Sequence, residues 1–485
     1  MRAAVAAFLL GTLLAPYCCS QSLPERLILT NVTVIDTRTG HQERKLTVVV
    51  KDGRIAAIAK VGLIQEDRKV HVINASGKFL IPGLWDMHVH SAGGPAAPWD
   101  ENVIYPLYVA NGVTGVRDMG GDLSLLQERR KRIEAGQLLG PHMLIVGPFL
   151  DGRKENAKAD PQIIAVNTPE QARQAVDELK PSVDFVKVLS SVPHDAYLAV
   201  AEEAARQHIR LVGHVPESVS VAEASEAGQR SIEHLSGVML ACSSREGEIR
   251  QGRLDALQKR DFARYSALTT QAFQTYDADK ARRLFTELAN NNTYQTPTLV
   301  WWQASAKIDD PAVVQDARLK YVPPFARAQW DPATLQKDTS PSELANLKMV
   351  ANRYIDLAHA MHRAGVPFLA GTDGPDPYVF PGFSLHDELE LLVKAGFTNA
   401  EALQAATYYP ALFMAKLDQY GVIETGRVAD MVLLDANPLD DIRNTRKIAG
   451  VVLRGTYHSR EDLNNVLTKV AEVAGKSSAV VATAK

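Results

Sequence analysis

Four histidines, one aspartate and one lysine carry the chemistry legible in this chain. His88 and His90 close the run Asp86-Met-His88-Val-His90, where strand alternation puts positions i and i+2 on one face. His214 ends Leu211-Val-Gly-His-Val215, His234 ends Ser231-Ile-Glu-His-Leu235, and Asp373 ends Leu369-Ala-Gly-Thr-Asp373. Imidazole and carboxylate are ordinary ligands of zinc and related divalent ions. A lone H-x-H is weak evidence, and a single strand-end histidine is more often structural. Five ligands at the C-terminal ends of four strands are different: together they form a metal site.

Five ligands exceed the three that one catalytic zinc takes, which leaves room for two ions. Two cations roughly 3.5–4 Å apart need a bridging anion besides hydroxide. The fourth strand candidate has no acid pointing inward; it has Lys187, in Asp184-Phe-Val-Lys-Val-Leu189. A lysine deep in an apolar strand is costly as a cation, so its pKa falls. The neutral amine can take up carbon dioxide as a carbamate and bridge two metals. The structural alternative is an amine that snorkels to the rim or pairs with an acid.

The elements that must position these groups follow from periodicity. From about Pro82 to Lys416, apolar strands alternate with helical patterns, which predicts βα units and a parallel sheet. Eight strands are expected: Leu84–His90, Val113–Met119, Met143–Leu150, Asp184–Ser190, Arg210–Val215, Arg230–Leu235, Tyr294–Trp301 and Val366–Asp373. Helices such as Leu123–Ala135, Pro169–Leu179, Asp195–Gln207 and Val219–Ala227 separate them. Eight units without a dinucleotide-type glycine fingerprint fit a barrel better than an open doubly wound sheet. Two long connections, Ser236–Asn292 and Gln303–Gly365, read as helical insertions on the active-site face.

β-branched runs fill Ile28–Ala75 and return at Gly421–Ile423, Gly426–Asp435 and Ile448–Leu453. The expected fold class is therefore α/β, a distorted (β/α)8 TIM barrel with a small β-sandwich domain formed by the N- and C-terminal segments. The boundaries read as a signal peptide over 1–20, the first sandwich half over 26–80, the barrel over 81–416, the second half over 417–456 and a C-terminal extension over 457–485.

Composition narrows the function classes. The 485 residues hold 53 Lys+Arg against 56 Asp+Glu, a formal charge of −3. That balance offers no basic footprint, so nucleic acid is not an expected partner. A hydrophobic share of 46% with 22% charged residues is that of a globular chain. Arg2, the apolar run Ala3–Ala15 and small residues up to Ser20 read as a cleaved secretory signal, implying a secreted or periplasmic protein. No later stretch is long and apolar enough to span a membrane. Beyond that leader only Cys242 remains, so no internal disulfide can form.

The order H-x-H, strand-four lysine, two later strand-end histidines and a strand-eight aspartate resembles the amidohydrolase superfamily. Pro82-Gly-Leu-Trp-Asp-Met-His-Val-His90 looks like its strand-one signature, and Gly426-Arg-Val-Ala-Asp-Met-Val-Leu-Leu-Asp435 like its return to the small β domain. The likeness covers most of Leu27–Gly455 and is nearest to the imidazolonepropionase-like group, with its prolidases and ochratoxin-cleaving amidases. It implies that His88, His90 and Asp373 hold one divalent ion, expected to be zinc, and that His214 and His234 hold a second. N6-carboxylated Lys187 and a hydroxide would bridge them. Asp373 would be the catalytic acid–base that moves a proton to the leaving amine. The implied reaction is hydrolysis of an amide, in a dipeptide or N-acyl amino acid.

Three further residues are weaker candidates for substrate contact. Arg117, in Val116-Arg-Asp118, could take a substrate carboxylate or form an ion pair with a neighbouring acid. His194 and Tyr378 follow strands four and eight and are expected near the pocket. Two rival functions share the fold: a single-zinc cyclic amidase or deaminase, and a non-catalytic binding protein on a relic barrel. The sequence is compatible with a homo-oligomer and leaves its order open.

Overall fold

The computed structural model describes residues 26–63, 70–93, 99–152, 162–337 and 339–477. The leader at 1–20 lies outside the described residues. In chain order the first strands are β1 (Leu27–Asp36), β2 (His41–Lys51), β3 (Arg54–Lys60), β4 (His71–Asn74) and β5 (Phe79–Pro82). The strands of the central region are β6 (Leu84–Val89), β7 (Val113–Asp118), β8 (His142–Ile145), β9 (Phe149–Asp151), β10 (Ile163–Ala165), β11 (Phe185–Val188), β12 (Arg210–Gly213), β13 (Ser231–Glu233) and β14 (Tyr294–Thr296). The last are β15 (Met431–Leu434), β16 (Ile448–Leu453) and β17 (Thr456–Ser459).

The two ends of the chain share one sheet. β5 pairs with β1 in parallel and with β15 in antiparallel fashion, Ile81 opposite Val432, so both termini contribute to a single hydrogen-bonded surface. Valines and isoleucines favour the pleated, half-buried positions of such strands. The β2–β3 hairpin turns on Asp52-Gly53, with φ of +51° and +73°, the pair of left-handed residues that a type I′ turn requires. The sandwich expected from the sequence is, by its hydrogen bonding, one eight-stranded sheet in the order β17-β16-β15-β5-β1-β2-β3, with β4 on β1.

The central strands are all parallel, in runs β6-β7-β8 and β10-β9-β11-β12-β13-β14. Asp184 N–H donates to Ile145 O at 2.8 Å and links the two runs. Helices pack outside, among them Pro169–Leu179 and His194–Arg206, each burying an alanine- and valine-rich face. Both helical insertions form as helices: Glu246–Lys259, Phe262–Gln274 and Ala278–Asn290 follow β13, and the long helix Pro341–Arg363 belongs to the second.

Three expected strands differ, each for a local reason. The third splits into β8 and β9 because Gly147 is left-handed at +65° and precedes Pro148, which cannot donate to a ladder. The seventh stops at Thr296; Thr298 turns left-handed and Leu299–Ser305 is a helix that carries Trp301. The eighth, Val366–Asp373, forms no regular strand. It is held by isolated bridges, Phe368 to Gln295 and Gly374 to Val89, and by Asp373 N–H donating to His88 O at 2.7 Å. Gly371 explains the close passage: a Cβ there would lie 2.5 Å from Thr296 Cγ2 and 2.9 Å from His88 Cβ.

Candidate metal centre

Strand ends place the polar groups. His88 lies within β6, whereas His90, His214 and His234 each stand one residue past a strand, where the ladder no longer constrains direction. His234 and Asp373 take φ of +59° and +63°, a left-handed conformation uncommon for non-glycine residues. The backbone turn aims both side chains back over the strand ends.

The resulting cluster is tight. Asp373 Oδ1 lies 3.3 Å from His88 Nε2 and 3.3 Å from His90 Nε2, and Asp373 Oδ2 lies 3.7 Å from His234 Nδ1. Lys187 Nζ stands 3.4 Å from His88 Nε2. The imidazoles of His88 and His234 have centroids 4.6 Å apart, and those of His234 and His214 are 5.2 Å apart. The six residues named from spacing therefore form one connected group.

Each imidazole is hydrogen-bonded through Nδ1. His88 donates to Glu233 Oε2 at 2.8 Å and His90 donates to Gly120 O at 2.9 Å. Carboxylate and carbonyl oxygens only accept, so these two rings carry their proton on Nδ1 and leave Nε2 as a lone pair. His214 Nδ1 bonds Ser190 Oγ at 2.9 Å and His234 Nδ1 bonds Thr298 Oγ1 at 2.8 Å. Outer partners of this kind fix ring orientation in metal sites.

The donor set fits a divalent cation. Two nitrogen lone pairs facing one carboxylate oxygen at 3.3 Å with no proton between them repel, and a cation among them removes the repulsion. Separations of 3.3 Å also match neighbouring ligands on roughly 2.0–2.2 Å bonds. Among the described residues, His88, His234 and Asp373 offer donor atoms all within 4.8 Å of one another.

Electrostatics favour the same protonation states. Burial pushes the imidazoles of His88, His214 and His234 below their ordinary range, and so keeps them neutral. Burial alone raises the Asp373 carboxyl; the pull that holds it far below the usual carboxylate range requires protonated His234 and His88 and an Nε2–H on His90, and with neutral rings a bound cation would have to supply it. Lys187 is pushed down to about 8, chiefly by burial, with Asp373 and Glu233 opposing. Its ammonium nitrogen sits 5.0 Å from the centroid of the Phe149 ring.

The site opens onto a cavity of about 370 Å³ lined by His214, His234 and Asp373, by Trp301 and Trp302, and by residues of the helical insertions. Arg117, His194 and Tyr378 do not line it. Arg117 is fully buried beneath the cluster, donating to Met87 O at 2.6 Å, to Ser231 Oγ at 3.0 Å and to Glu233, so the ion-pair reading applies. His194 is the first residue of a helix on the outer layer, bound to Asp195 and Glu223. Tyr378 turns away, its hydroxyl donating to Trp330 O at 2.6 Å.

Sequence reasoning missed Glu233, whose carboxylate ties His88 to Arg117. The available signal was an acid inside an otherwise apolar strand, next to His234. It also missed Asp86, which accepts from Thr372 Oγ1 at 2.7 Å and from Thr372 N–H at 3.0 Å, so that β6 holds the segment bearing Asp373. Burial pushes that carboxyl up to about 7.

Residues 79–457 match the Amidohydrolase family. The chain belongs to that family. A putative prolidase from Bifidobacterium longum is 25% identical, covers 92% of this chain and 99% of its own, and superposes with a TM-score of 0.65. The bottromycin amidohydrolase AH is 23% identical over 94% of this chain and 92% of its own, with a TM-score of 0.73. These amidohydrolase likenesses imply the α/β TIM-barrel fold. An enamidase from Eubacterium barkeri is 46% identical over 52 residues, and the match spans only 14% of that protein. An N-acetylglucosamine-6-phosphate deacetylase from Lysinibacillus sphaericus is 42% identical over 66 residues, 16% of its length.

Proposed function

We propose that this amidohydrolase is a metal-dependent hydrolase that cleaves a peptide-like amide in a dipeptide or N-acyl amino acid. The observation that carries the reading is Asp373 Oδ1 at 3.3 Å from both His88 Nε2 and His90 Nε2, at the mouth of a cavity of about 370 Å³. Pockets for small ligands run from roughly 300 to 1,000 Å³, so one small amide fits. Residues His88, His90 and Asp373 would hold one ion, His214 and His234 a second, with Lys187 as an N6-carboxylated bridge. The parallel strands and the segment Val366–Asp373 are read as one closed (β/α)8 barrel.

Bound divalent ions would supply an activated water and polarise the scissile carbonyl. The chain's own groups do the rest. Asp373, beside the Nε2 atoms of His88 and His90, accepts a proton at its carboxylate and returns it to the leaving nitrogen. Glu233 and Gly120 keep Nε2 of His88 and His90 free of a proton. Trp301 and Trp302 give the cavity wall apolar surface.

One observation favours a single-ion variant of this reading: among the described residues, His88, His234 and Asp373 are the group that satisfies the donor spacing of one ion. Metal analysis separates the two, two ions per chain against one. Hydrolysis of a dipeptide and N-acyl amino acid library, lost on chelation and restored by zinc, is the expected result. Turnover unchanged after complete metal removal overturns it.

A further inference from the structure

The cavity beside the candidate metal ligands has a second polar group that the hydrolytic chemistry does not use. Arg253, on the helix Glu246–Lys259 of the first insertion, is the one lysine or arginine among the described residues lining it. Its guanidinium is fixed from three sides. Nη2 donates to Glu217 Oε1 at 2.5 Å and to the Tyr265 hydroxyl, and Cζ lies 4.3 Å over the Tyr265 ring. Tyr265 in turn donates to Glu217 Oε1 at 2.7 Å. Glu217 is anchored through its backbone N–H to Ser190 O at 3.1 Å, and Ser190 Oγ bonds His214.

The clamp is incomplete by itself. Arg253 Nε is buried without a partner, and Nη1 makes no hydrogen bond with the described residues. Nε has no surface open to the cavity, so Nη1 is the donor left for a ligand, and an anion is the partner that satisfies it. The other ionisable groups on the cavity wall are Glu217 and Asp373, both acids, the imidazoles of His214 and His234, and the phenols of Tyr265 and Tyr354. Glu217 already spends one oxygen on Arg253 and Tyr265. Phe273, Trp301, Trp302 and Tyr354 line the same space with aromatic surface.

We infer that Arg253, oriented by Glu217 and Tyr265, receives the free carboxylate of an amide substrate whose side chain is large and apolar. This rests on the amide-hydrolase reading above and names its substrate class: the insertion after β13, and not Arg117, sets the demand for a negative charge. Glu217 and Tyr265 are positioning residues in this scheme, because they act through the guanidinium.

The test compares a dipeptide and an N-acyl amino acid, each ending in phenylalanine, with their C-terminal carboxamides on the zinc-loaded protein. The expected wild-type preference is for the carboxylates. In Arg253→Met the preference should fall about 10–100-fold, the size of a lost charge-assisted hydrogen bond, and the change should lie in KM. Arg253→Lys should restore part of it. Because Arg253→Met strands Glu217, the double variant Arg253→Met/Glu217→Gln removes both charges and should show the same loss. An unchanged preference in a folded variant with a lowered Tm makes the pair purely structural and overturns the inference. Calorimetric binding of the reduced-amide analogue of the dipeptide and its carboxamide reads the clamp without turnover. A wild type that cleaves neither substrate yet binds the carboxylate analogue through Arg253 overturns the hydrolase reading and supports the clamp. Equal binding of both analogues overturns the clamp.

Discussion

Nδ1 of His88 lies 2.8 Å from Glu233 Oε2, and the same carboxylate accepts Arg117 Nη2 at 2.9 Å, with all three side chains shut off from solvent. The arrangement makes each partner necessary to the others. Glu233 neutralises a buried guanidinium and, by accepting the Nδ1–H hydrogen bond of His88, leaves Nε2 facing Asp373. Ser231 Oγ completes the carboxylate shell from the same strand at 2.5 Å.

Glu233→Gln should therefore weaken metal binding by about 10–100-fold, the range found when outer partners of ligand histidines are lost. It should also lower Tm, because Arg117 is left charged and unpaired in the interior. Titration against a chromophoric chelator reads the first effect and thermal denaturation of the apo protein the second. Wild-type metal affinity in the variant would show that His88 is oriented by backbone alone.

Lys187→Ala should lose bound metal and nearly all activity. A carbamate bridge can be replaced in part by a small carboxylate, so added short-chain carboxylic acids should restore some turnover. Elemental analysis and rate measurement check this together. Normal metal content and rate in Lys187→Ala would remove the lysine from the site.

Asp373→Asn keeps the shape of the side chain but removes the acid–base function. The rate should drop by about 10²–10⁴-fold, the contribution of a positioned general acid–base. Short-chain acids should not rescue it, which separates this variant from Lys187→Ala.

The pH dependence of stability has a predicted contributor away from the cluster. Glu388 is fully buried, accepts from Val300 N–H at 2.7 Å and has its other oxygen unpartnered. Burial pushes its carboxyl up to about 8 from 4.5. The folded state then binds more protons than the unfolded chain across that window, so the stabilisation present in acid is lost as pH rises toward 8. Glu388→Gln should raise Tm near pH 8.5 by about 2–4 °C relative to wild type, with a smaller gain at pH 5. Equal shifts at both pH values would exclude this residue as the source.

The metal-ligand candidates and the strands that carry them were legible because both signals are local. A strand shows itself as a short apolar run, and its last polar residue faces the mouth of a parallel barrel whatever the rest of the chain does. Asp373 needed only that rule to be named; His88 also needed the alternation that pairs it with His90, and Lys187 the lack of an acid on the fourth strand. The eighth strand was legible as an apolar segment but not as an irregular one, because Gly371 and the left-handed Asp373 answer to neighbours far away in sequence, Thr296 and His88.

Arg117 shows what the sequence could not decide. An arginine after a strand can reach outward to a ligand or inward to an acid, and only the position of Glu233, 116 residues later, settles it. The same holds for the cavity: Arg253, Glu217 and Tyr265 come from separate segments that meet only when the insertion folds over β13. Local pattern determined which residues could bind metal, since ligand chemistry and strand periodicity are properties of short stretches. Tertiary packing alone decided which charges are buried together and which face the substrate space, since desolvation and pairing depend on what the rest of the chain brings alongside.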